Sequence, residues 1–198
     1  MPLQTIFILL FTALATSISA ASIVFGRSEQ SSLVTRAPAF CFNPETNRLV
    51  CYDEPGATPQ NVSVQDMVYF AALMRNKAVT EGPWLKMEGP EADNCAEWSI
   101  GSKGTGLLLA KHVTGDEPTW VLLEDVASTI DGGDGDENLP AWEVDVEDSI
   151  MGCGTAGGQR AVKVNKDNEL YSSDEFVESG ASSKGVIIKI VARPEAAE

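Results

Sequence analysis

Histidine is nearly missing from this chain: His112 is the only one among 198 residues, and no Cys-x-x-Cys pair occurs. Structural zinc needs four thiolate or imidazole ligands, so no metal site of that kind is expected. Acid–base work by imidazole would have to run through His112. No Gly-x-Ser-x-Gly accompanies it, and it closes the apolar run 107–110 as a structural residue would. Residues 152–158 (GCGTAGG) lack both the Gly-Lys-Ser/Thr ending and the Gly-x-Gly-x-x-Gly spacing of phosphate-cradling loops. Those glycines read instead as close packing around Cys153. Beyond residue 14 no apolar run approaches the roughly 20 residues that cross a bilayer, and the ending RPEAAE is not an apolar lipid-attachment signal. A monomeric protein without a membrane association is the expectation.

Positive charge is also missing from two places. No charged side chain precedes Arg27, residues 6–14 (IFILLFTAL) are apolar, and the small residues Ser17, Ser19, Ala20 and Ala21 follow. This predicts a signal peptide over residues 1–21 and a secreted, extracellular product. Residues 22–40 are polar, without apolar periodicity, and end near Pro38, which predicts a flexible leader or pro-segment. The second gap lies between His112 and Gln159, where there is no Lys or Arg but twelve acids. They carry most of the net charge of −15. Such a field repels nucleic acid and anionic membranes and suits a basic protein partner. Residues 131–138 (DGGDGDEN) offer oxygen ligands, but their spacing fits neither the EF-hand nor the nonapeptide repeat. A solvated acidic loop is the expectation, and no cofactor is implied.

Four cysteines, Cys41, Cys51, Cys95 and Cys153, all follow the expected cleavage point. An even number in an oxidising compartment predicts two disulfides and leaves no thiolate for catalysis. Asn43-Pro44 and Asn47 between the first two favour a turn, hence Cys41–Cys51 with Cys95–Cys153 among the three connectivities. Asn61-Val62-Ser63 is the single N-glycosylation sequon.

Ser63-Val-Gln-Asp66 has capping-box spacing, and Val64, Met67, Val68, Ala71, Ala72 and Met74 recur at helical spacing up to Asn76-Lys77. Thr119 is placed to cap a second helix from Trp120 to Ile130 that Gly132-Gly133 would end, and residues 174–179 suggest a short third. Residues 160–165 and 185–192 read as strands, the latter (GVIIKIVA) central in a sheet; runs 95–100 and 107–113 are ambiguous. The expected architecture is a small disulfide-stapled α+β domain over residues 41–193, a short antiparallel sheet packed with two or three helices, and a tail over 194–198.

Paired carboxylates would suit a hydrolase of cell-wall polysaccharide, and Trp84, Trp98, Trp120 and Trp142 would suit a sugar platform. Abundance is not geometry, however, and tryptophans serve equally as core anchors. The segments DNCAEWSI (93–100), TIDGG (129–133) and GCGTAGG around Cys153 resemble small secreted cysteine-containing proteins of filamentous fungi, similar in kind to candidate effectors of plant- or insect-associated ascomycetes. That resemblance implies a secreted, non-enzymatic, virulence-associated protein acting on a host or competitor target; it transfers no catalytic residue. The expected partner-binding residues are Trp120, Asp131, Asp134, Asp136, Glu137 and Trp142. The alternatives are the carboxylate hydrolase and a secreted toxin or protease inhibitor.

Overall fold

A computed structural model describes residues 45–87, 97–113, 117–133 and 146–194. The expected signal peptide and leader, Cys41, Cys95, Asp134, Asp136, Glu137 and Trp142 lie outside the described residues. Within them, five strands form one antiparallel sheet in the order β1-β6-β7-β4-β3: β1 (Val50–Cys51), β3 (Glu97–Lys103), β4 (Gly106–His112), β6 (Gly158–Ala161) and β7 (Val186–Ala192). A separate two-stranded antiparallel ribbon pairs β2 (Trp84–Met87) with β5 (Thr119–Leu122). The helices are α1 (Val64–Thr80), α2 (Leu123–Asp131) and α3 (Asp174–Ser179). The domain is α+β and disulfide-stapled.

β7 holds the centre of the sheet, as its β-branched composition requires, with Val186, Ile188 and Ile190 turned to the core alongside Leu108 and Ala110 of β4. Met67, Phe70, Ala71 and Met74 of α1 recur at i, i+3, i+4 and i+7, and they meet Leu123, Val126, Ala127 and Ile130 of α2 over that layer. Phe70, Met67 and Met74 are fully buried, each contributing roughly 1.5–3 kcal/mol of transfer free energy.

Ser63 caps α1, its hydroxyl accepting the Gln65 N–H at 3.2 Å. The reciprocal half of the box runs through a third residue. Thr105, in the β3–β4 turn, accepts the Ser63 N–H at 2.8 Å and donates its own N–H and hydroxyl to Asp66 at 2.9 and 2.8 Å. The start of α1 is thereby bolted to the hairpin.

Three expectations are corrected. The second helix does not begin at Trp120 under a Thr119 cap. Thr119-Trp-Val-Leu is β-branched and aromatic and pairs with β2, so α2 starts only at Leu123, with no side-chain cap; it ends, as expected, at a left-handed Gly132 (φ 82°). The strand expected over 160–165 sits earlier, because Gly158 and Gln159 pair with both neighbouring strands and Val162 leaves after one bond to Val186. The disulfide joins Cys51 to Cys153 with a Cα–Cα distance of 5.2 Å, not Cys51 to Cys41 or Cys153 to Cys95. The reason is strand pairing. β1 pairs with β6, placing Cys51 opposite Gly158, and the turns of residues 150–156 bring Cys153 back onto that pair. A Cβ on Gly158 would lie 2.9 Å from Cys153 Sγ, so this glycine packs against the disulfide as expected, whereas Gly152 and Gly157 are held small by backbone carbonyls and Gly154 by its positive φ.

Candidate interaction surface

The solvent side of α1 stands out by what it lacks. Its exposed positions are Val64, Gln65, Val68, Tyr69, Ala72, Asn76, Val79 and Thr80, with no charge among them. The charged residues of the helix are drawn inward: Asp66 is buried against Thr105, and Arg75 and Lys77 are half-buried. Val79 is 87 % exposed and Val68 53 %, and Val64, Val68 and Ala72 stack one turn apart along one line. A helix so apolar outside as well as inside exceeds what packing on one sheet needs. Lys103 from the hairpin lies over the Tyr69 ring at 5.0 Å and borders this face. Asn61 is exposed just before it, in the left-handed region (φ 55°) that asparagine tolerates.

Within the described part of the acidic segment, Glu124, Asp125, Asp131 and Asp148 are committed to partners inside the domain. Arg75 of α1 donates to Glu124 at 2.8 Å and to Asp131 at 2.6 Å, clamping both ends of α2 onto α1. Burial works against the Arg75 charge, but the two carboxylates outweigh it and hold the guanidinium more firmly protonated than usual. Asp131 also accepts the Gly133 N–H at 3.0 Å. Thus Asp131, expected at the sequence level to bind a partner, is a tie between helices.

Trp120, the other described residue of that set, lies on the outer side of the ribbon with Lys86 3.8 Å above its ring and Trp84 at 5.9 Å. Trp84 stacks on Phe176 of α3 at 5.2 Å and meets Tyr171 edge-on at 5.4 Å. Rings packed in this way anchor α3; Trp98 likewise packs against the core.

A cavity of about 390 Å³ opens beside α2, lined by Glu124, Asp125, Ser128, Lys163 and Asn165 among others. Asp125 is 4 % exposed, and burial raises its pKa against the lowering effect of its hydrogen bonds. Its Oδ2 accepts Tyr171 Oη–H at 2.6 Å and Asn165 N–H at 3.2 Å. A carboxyl held like that braces three segments, while its neighbour Glu124 is spent on Arg75, so the two do not form the free facing pair glycoside hydrolysis requires. His112 is buried, bonded through Nε2 to Thr119 Oγ1 at 2.8 Å, and burial lowers its pKa. Among the described residues no group of three His, Cys, Asp or Glu is arranged to hold a metal ion.

A further cluster joins residues far apart in the sequence. On the sheet side away from the helices, Lys189 of β7 meets Glu97 of β3 at 2.6 Å and Glu45 at 2.9 Å; Lys111 of β4 also meets Glu45, and Gln159 donates to it at 3.2 Å. Burial alone would raise the Glu45 pKa, but the two ammonium groups bring it below its ordinary value. The only sequence signal was a lysine interrupting GVIIKIVA, at the alternation that turns it away from the core.

No protein-family model matches this chain, and neither a curated protein nor a solved structure matches it.

Proposed function

We propose that the chain is a secreted, non-enzymatic interaction protein of the fungal-effector kind that docks a host or competitor protein through the solvent side of α1. The observation carrying this reading is the uncharged, apolar outer face of that helix in a protein with 43 charged residues, 29 of them acidic. Contiguous exposed apolar surface on a soluble domain favours a partner. The Cys51–Cys153 disulfide fits an oxidising compartment, and no helix among the described residues is long and apolar enough to cross a membrane. The acidic excess steers a basic partner toward the molecule, while the α1 face supplies the contact. A glycan on Asn61 would border the first turn of that face.

The test is capture from host extracellular fluid by oxidised protein made in a secretory host, comparing wild type with Val68→Glu and Val79→Glu. Both positions are exposed, so the fold persists, and saturable capture is expected to disappear in the variants. Equal capture by all three proteins removes α1 from the interaction. A wall-polysaccharide assay run alongside, with Asp125→Asn as control, addresses the hydrolase alternative: turnover abolished by that substitution overturns the non-enzymatic reading.

A further inference from the structure

An acidic protein has gathered four of its fourteen cations around one cavity. Arg160, Lys163, Lys166 and Lys184 line a space of about 320 Å³ where the chain leaves β6 and re-enters β7, and no carboxylate is among the lining residues. Asp148 takes up the first two, accepting from Arg160 Nη2 at 2.9 Å and lying 3.3 Å from Lys163 Nζ, which holds its own pKa down at about 2. Lys166 and Lys184 are exposed and have no such carboxylate among the described residues. Val162 and Val186 supply aliphatic wall between them.

We infer that this cavity binds a small sugar-sized molecule bearing a phosphate or a carboxylate. Two lysine ammoniums with rotatable donors accept an oxyanion of either kind, whereas the planar fork of Arg160 is already occupied by Asp148. The volume is at the lower end for ligand pockets, which suits a monosaccharide-sized body rather than a polymer. A polyanion such as nucleic acid would meet the acidic remainder of the molecule, since the net charge is −15. A compact anion reaches the lysines without that encounter. This site is separate from the α1 face and stands without it.

The experiment is calorimetric titration of the whole oxidised protein with a hexose 6-phosphate, a hexuronic acid, inorganic phosphate and a neutral hexose. One of the two charged sugars is expected to saturate, about tenfold more tightly than inorganic phosphate, and the neutral hexose not at all. Which one saturates identifies the oxyanion. Lys166→Gln/Lys184→Gln should weaken that binding about tenfold or more with an unchanged melting temperature. The proposal is overturned if neither charged sugar saturates up to about 10 mM, if inorganic phosphate binds as tightly, or if the double variant binds like wild type.

Discussion

Tyr171 and Asp125 are joined by a 2.6 Å hydrogen bond in which the phenol donates, while the same phenol oxygen accepts the Leu122 N–H at 3.0 Å. One side chain thus satisfies a buried carboxylate and the backbone group at the β5–α2 junction, from a segment 46 residues further along the chain. Replacing Tyr171 with Phe removes the donor and acceptor but keeps the ring against Trp84. A loss of about 1–3 kcal/mol is expected in chemical denaturation, because both partners are left buried without it.

Asp125 and Glu45 should give opposite pH signatures. Asp125 has a raised pKa in the fold, so the folded state holds its proton more tightly than the unfolded chain and stability declines as pH climbs from the ordinary aspartate range through the raised value. Glu45 has a lowered one, so its contribution is complete above the ordinary glutamate range and is lost as pH falls through the folded value. Asp125→Asn should flatten the first slope and Glu45→Gln the second, read from denaturant midpoints across acid to neutral pH.

Lys189→Met tests the sheet cluster directly. The lysine side chain is 10 % exposed and serves two glutamates, of which Glu45 keeps Lys111 and Glu97 is partly solvated; a destabilisation of about 1–2 kcal/mol is expected. Replacing Lys189 and Glu97 together should cost less than the sum of the single changes.

Peptide mapping under non-reducing conditions should recover Cys51 linked to Cys153. The bond spans 102 residues, and a loop of that size corresponds to about 4.7 kcal/mol of chain entropy. Cys51→Ala/Cys153→Ala should therefore lower stability far more than any surface change. Recovery of Cys41–Cys51 would refute the strand pairing of β1 with β6.

The sequon and the helix cap share Ser63, which separates two effects. Asn61→Gly removes the acceptor while keeping a residue at home at φ 55°, so melting temperature should change little, and comparison of intact masses from a secretory host reads whether Asn61 is glycosylated. Ser63→Ala abolishes the sequon too and should in addition cost about 0.5–2 kcal/mol, because the cap on Gln65 goes with it.

Local chemistry wrote several elements plainly into the sequence. The capping spacing at Ser63, the 3.6-residue recurrence through Met74, the glycine stop at Gly132 and the β-branched run of β7 each depend on near neighbours, and each appears where neighbours alone would put it. Where the local reading gave a helix from Trp120 onward, a long-range partner overrode it: pairing with Lys86 and Leu85 makes Trp120 and Val121 strand.

The α+β class, the central strand, helix α1 and an uneven charge are all readable along the chain. These follow from composition and periodicity, which act over a few residues. It takes the folded arrangement to bring Cys51 to Cys153, Arg75 between Asp131 and Glu124, Lys189 between two glutamates, and four cations around a cavity with no acid in its wall. Each of these joins residues distant along the chain, and no local preference encodes a distance that only the strand order and helix packing create.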